Sequence, residues 1–132
     1  MDAANHAIDE LSVGRQVDAS KIPPELAPLF GQAVQEFLIS TFALDPADLA
    51  KNTSKPVLIM QGERDLQVSV ADAKRLHEAA PHATPAILPD TNHVLKTVAS
   101  HDRNENIATY FADNLPLAPG VVDAISRFVK RH

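Results

Sequence analysis

Cysteine is absent from this chain, which excludes a disulfide framework, a thiolate metal site and a cysteine nucleophile. Glycine is scarce. The four glycines are Gly14, Gly31, Gly62 and Gly120, and no two of them bracket a serine in the Gly-x-Ser-x-Gly pattern of a nucleophile elbow. No stretch approaches the ~20 apolar residues of a membrane span, and residues 1–10 lack the basic and apolar regions of a signal peptide. That opening segment also has no strand pattern, as expected if the natural polypeptide begins further upstream. Basic charge is in deficit, with 12 Lys and Arg against 17 Asp and Glu and a net charge of −5, so a nucleic-acid partner is not expected. The dense basic run, residues 127–131, closes an expected helix, where cations complement the helix dipole.

What is present is globular in composition: 132 residues, 45% hydrophobic and 22% charged, enough for one ordinary domain. Residues 1–50 hold no strand candidate. Leu26, Leu29, Phe30, Val34, Phe37, Leu38 and Phe42 fall at helical spacing. Pro23, Pro24 and Pro28 predict a helix beginning near Pro24, with a break at Gly31. Asp45-Pro46 reads as an N-cap followed by proline at the first helical position, giving a short helix to about Ala50 and then a polar connection over residues 51–55.

From Pro56 the pattern changes. Val57-Leu58-Ile59-Met60 is a continuous apolar run that suits a strand of a parallel sheet, buried on both faces. Ser69 and Asp72 form a capping arrangement for a helix over residues 71–80 that Pro81 stops. Thr84-Pro85-Ala86-Ile87-Leu88 is the second strand, and Pro89-Asp90 a turn. A helix is expected near residues 105–111, then an irregular stretch over 116–120. A C-terminal helix follows, whose apolar face of Val121, Val122, Ile125, Phe128 and Val129 should pack on the sheet. The fold class is therefore α/β: a helical segment over residues 1–55, then a βαβ unit of parallel strands with a C-terminal helix over residues 56–132.

A parallel βαβ unit brings the carboxyl ends of its strands to one edge, so the loops carrying Asp65 and His93 open onto one crevice. A histidine base needs a carboxylate on its far ring nitrogen to fix its tautomer and stabilise the imidazolium. Asp65 suits that role, Gly62 lets the chain turn away from the strand end, and Asn92 suits a tight loop. Asp90, three residues before His93, is the alternative orienting carboxylate.

These residues resemble the α/β-hydrolases, in particular their lid-bearing esterase and serine-aminopeptidase-like branch. Pro56-Val57-Leu58-Ile59-Met60-Gln61-Gly62-Glu63-Arg64-Asp65 looks like the acid strand and its loop, and Pro89-Asp90-Thr91-Asn92-His93-Val94-Leu95-Lys96 like the histidine loop. The resemblance covers most of residues 22–131. It implies a partial α/β-hydrolase fold, with a lid before the strand, a closing C-terminal helix, and Asp65 and His93 as acid and base of a catalytic triad. It calls for no cofactor. Family order is serine, acid, histidine, so the resemblance is to the C-terminal half of a member, truncated before the lid.

Of the serines, Ser69 reads as a cap, Ser40 and Ser126 as helix-interior, and Ser12, Ser20, Ser54 and Ser100 as polar or loop positions; Ser12, beside Gly14, is the nearest to a replacement nucleophile. His6, His77, His82, His101 and His132 show no ligand spacing, so no metal site is expected. The apolar face Leu26 to Phe42 is open to three readings: core, lid or partner-binding helix. Two functions follow. One is the C-terminal portion of a serine hydrolase acting on a small-molecule ester or amide, its nucleophile supplied by a complementing upstream half. The other is a non-catalytic, partner-binding remnant that forms a homo-oligomer, by strand or element exchange, through unpaired sheet edges.

Overall fold

The computed structural model describes residues 2–132. The chain divides into two compact units, Met1–Pro46 and Ala47–His132.

The first unit is helical: α1 (Asp2–Ser12), a 3-10 turn at Pro24–Leu26 running into α2 (Ala27–Phe30), and α3 (Gln32–Phe42). The break at Gly31 occurs as expected: its backbone is extended at ψ 162°, in a conformation where a Cβ would lie 2.6 Å from the Ala27 carbonyl oxygen, so the position suits glycine. Ala7 and Leu11 of α1 are buried against Phe30, with Leu26, Leu38 and Ile39 packed around them. The apolar face read from the sequence splits here. Phe30 is core, whereas Leu29 and Phe37 are 60% and 67% exposed. The place next to Phe30 belongs to a polar residue, Gln35. Its Oε1 accepts from Val17 N–H (2.9 Å) and its Nε2 donates to the carbonyls of Val17 (3.0 Å) and Phe30 (2.9 Å), so it is buried with its polar atoms bonded. Ser12 ends α1 rather than lying in a loop.

The second unit holds α4, which spans Pro46–Lys51 across the division, then β1 (Leu58–Gly62), α5 (Val70–Ala79), β2 (Thr84–Leu88), α6 (Arg103–Ala108) running into a 3-10 turn at Thr109–Phe111, and α7 (Val121–Arg131). The two strands pair in parallel with Met60 opposite Ala86. The architecture is thus a mixed, mainly helical one built on a small parallel sheet. Ser69 opens α5 with a reciprocal capping box to Asp72. Ile59 and Ile87 face α5, packing with Ala73, Leu76, Ala80 and Ala83. Met60 and Leu88 face the opposite side, packing with Ala118 and Val121 at the start of α7.

α7 corrects one expectation. Of its expected apolar face, Val121 is buried against Leu88 of the sheet and Phe128 is half-buried, whereas Val122, Ile125 and Val129 are exposed, so the helix packs on the sheet by part of that face. No helix among the described residues is long and apolar enough to cross a membrane.

Candidate functional site

Gly62 closes β1 and Leu88 closes β2, so the loops after them leave the sheet at the same edge. Backbone bonds lace the two loops together: Glu63 N–H donates to Leu88 O and Arg64 N–H to Thr91 O, each at 2.9 Å. This approach is what requires glycine at position 62. A Cβ there would lie 2.1 Å from the Thr91 carbonyl oxygen.

The histidine loop is a tight reversal. Asn92 N–H donates to Lys96 O (3.1 Å) and Leu95 N–H to Asn92 O (3.0 Å), with Leu95 in the left-handed region at φ 59°. His93 stands at its tip. This is the pattern of a three-residue hairpin loop whose last residue is left-handed.

Asp65 and His93 meet there. His93 Nδ1 lies 2.9 Å from Asp65 Oδ2, with the Asp65 side chain 6% exposed and that of His93 40% exposed. Three further donors converge on the carboxylate: Gln67 N–H (2.8 Å) and Val68 N–H (3.0 Å) on Oδ1, and Gln61 Nε2 (3.0 Å) on Oδ2. Burial alone pushes the Asp65 carboxyl up. The bonds from Val68, Gln67, His93 and Gln61 outweigh it and hold the carboxyl below its ordinary value. The carboxylate is therefore ionised at neutral pH and only accepts. Nδ1 must carry the proton, and in the neutral ring Nε2 keeps the lone pair. Nε2 has no hydrogen bond with any described residue, so the half-exposed ring keeps a basic nitrogen uncommitted.

Asp90, the alternative carboxylate, is engaged elsewhere. Its Oδ1 accepts from Arg64 Nη2 (3.1 Å) and Nε (3.3 Å), and Arg64 Nη1 reaches the His101 ring, 2.7 Å from Nε2. Asp65 alone of the two holds His93.

Gln61 and Asn106 did not stand out in the sequence. Gln61 Nε2 is surrounded by three acceptors, Asp65 Oδ2 and the carbonyls of Gly62 (3.1 Å) and Val68 (3.0 Å), an environment that admits only the donor end of the amide. A polar residue inside an apolar strand, four before the aspartate, was the available signal. Asn106, on α6, is buried beside Asn92. The helix starts at Arg103 because Asp102 caps it, accepting from Asn104 and Glu105 N–H; the expected start at 105 missed that cap.

No serine is hydrogen-bonded to His93 among the described residues. Ser69 caps α5, Ser40 donates to Phe37 O, Ser20 to Asp18, and Ser100 to Glu105. No group of three His, Cys, Asp or Glu side chains among the described residues is placed to share a metal ion. Of the other histidines, His77 departs from the surface default: its Nδ1 is buried without a hydrogen-bond partner among the described residues. No protein-family model, curated protein or solved structure matches this chain.

Proposed function

We propose that Asp65 and His93 are the orienting acid and general base of a serine hydrolase acting on a carboxylic ester or small amide, the nucleophile coming from polypeptide outside these 132 residues. One observation carries this: the 2.9 Å contact from His93 Nδ1 to a buried, ionised Asp65, on a half-exposed ring whose Nε2 is not hydrogen-bonded among the described residues. In that arrangement Nε2 takes the serine hydroxyl proton as the oxygen attacks the acyl carbon, then returns it to the leaving oxygen or nitrogen. Asp65 stays ionised throughout and stabilises the transient imidazolium. The resemblance to the C-terminal half of a lid-bearing α/β-hydrolase supports the same assignment.

The test joins this sequence to the coding sequence that precedes it in its gene. The joined protein hydrolyses a short activated ester, and His93→Ala reduces turnover to background; unchanged turnover overturns the assignment. A fluorophosphonate probe leaves the 132-residue chain alone unlabelled.

A second reading, a non-catalytic module that pairs with itself or a partner, is favoured by the exposed apolar residues Val122, Ile125 and Val129 on α7 and by a sheet of only two strands. Light scattering separates the two. A well-folded monomer at micromolar concentration counts against the module.

A further inference from the structure

We infer that Asn106 is a positioning residue for the Asp65–His93 pair, acting through Asn92; the inference rests on the proposed roles of that pair. Three hydrogen bonds link the two loops, all donating in one direction, from the base loop toward the acid loop. Asn106 Nδ2 donates to the carbonyl of Arg64, the residue before Asp65, at 2.7 Å. Asn92 Nδ2, on the residue before His93, donates to Asn106 Oδ1 at 3.2 Å. Lys96 N–H donates to Asn92 Oδ1 at 3.0 Å, closing the histidine loop.

The direction of this relay is fixed at both ends by backbone. A carbonyl at Arg64 demands a donor and an N–H at Lys96 demands an acceptor, so both amide groups have one orientation. Asn92 is 0% and Asn106 3% exposed, so water does not substitute for a lost partner without cost. Asn92 Nδ2 also donates to Thr109 Oγ1 (2.6 Å), which seats the same loop on the turn that follows α6. Among the described residues, neither asparagine is hydrogen-bonded to the His93 ring. Their effect is to hold the backbone on either side of the Asp65–His93 contact, beside the Arg64 N–H to Thr91 O and Glu63 N–H to Leu88 O bonds and the exposed Arg64–Asp90 ion pair that also join the two loops.

The folded chain reports this without a nucleophile or substrate. In ¹⁵N-labelled protein at a pH where His93 is neutral, its ring nitrogen shifts read the ratio of the Nδ1–H to the Nε2–H tautomer. The wild type favours Nδ1–H, and Asp65→Asn abolishes that preference. Asn106→Ala, folded by circular dichroism, loses the bonds to both Arg64 O and Asn92 Nδ2 and lowers the ratio by about fivefold, through a weakened His93–Asp65 hydrogen bond. A ratio within experimental error of wild type overturns the positioning role. Should Asn106→Ala fail to fold, Asn106→Asp keeps the size and the acceptor for Asn92 but cannot donate to Arg64 O when ionised; a lowered ratio supports the role, and an unchanged one overturns it. A wild type with no Nδ1–H preference instead overturns the pairing of Asp65 with His93, so the two failures are distinct.

Discussion

Gly62 and Thr91 are in backbone contact so close that glycine is the only residue the site accommodates: a Cβ on Gly62 would lie 2.1 Å from the Thr91 carbonyl oxygen and 2.6 Å from its carbon. Neither atom can swing aside, because both belong to backbone that the Arg64 N–H bond holds at 2.9 Å. Gly62→Ala therefore separates the acid and base loops and costs about 3 kcal/mol in urea unfolding. Gly14→Ala is the control. Gly14 has φ +80° in open space, so alanine there meets only the left-handed backbone penalty of about 1 kcal/mol. Equal costs at the two positions would remove the steric account of Gly62.

Stability should depend on Asp65 ionisation with a definite sign. The folded carboxyl holds its proton less tightly than the unfolded one. Its contribution is then fully present above the unfolded aspartate value of about 3.9 and is lost as pH falls through the lower folded value. Asp65→Asn removes that titration. The stability difference between wild type and Asp65→Asn, measured by urea unfolding across a pH series, should be constant near neutrality and shrink below about pH 4. A difference that widens in acid contradicts the hydrogen-bonding account of this carboxylate.

Gln61 supports the carboxylate from below, and its removal separates that support from the histidine contact. Gln61→Leu leaves Asp65 Oδ2 and the Val68 carbonyl each short of a donor. A cost of about 1–3 kcal/mol is expected, together with a rise in the Asp65 carboxyl pKa, read by NMR titration of its ¹³Cγ. Gln61→Glu raises it further by setting a second carboxylate against the first. An unmoved Asp65 titration in both variants would remove Gln61 from the site.

The sequence made the strand, helix, strand order and the shared edge of Asp65 and His93 legible because each rests on local signals: a continuous apolar run, a Ser69–Asp72 box, a proline stop, a second apolar run. The rest depends on partners far along the chain. Asn106 meets Arg64 across 42 positions and Asn92 across 14, and no spacing marks such pairs. Gln35 illustrates the reverse error. Gln35 lies three before Leu38 with no apolar signal of its own, yet its amide is bonded to two backbone segments and it is buried while Phe37, on the same helix, is exposed. Periodicity states that a helix has an apolar face; tertiary packing decides which part of that face is covered.

α7 turns that distinction into a measurement. Val121 is fully buried between Leu88 and Ala118, whereas Val129, two turns on, is 64% exposed. Val121→Ala should cost about 1–2 kcal/mol, from lost burial and the small cavity left behind. Val129→Lys should stay within about 0.5 kcal/mol of wild type, since it exchanges one exposed side chain for another. The comparison also tests the second functional reading. If Val122, Ile125 and Val129 are covered by another chain in solution, Val129→Lys places a charge in that interface, and apparent stability falls with a dependence on protein concentration. A cost at Val129 that matches Val121 at every concentration would instead mean that α7 docks by the face the sequence first suggested.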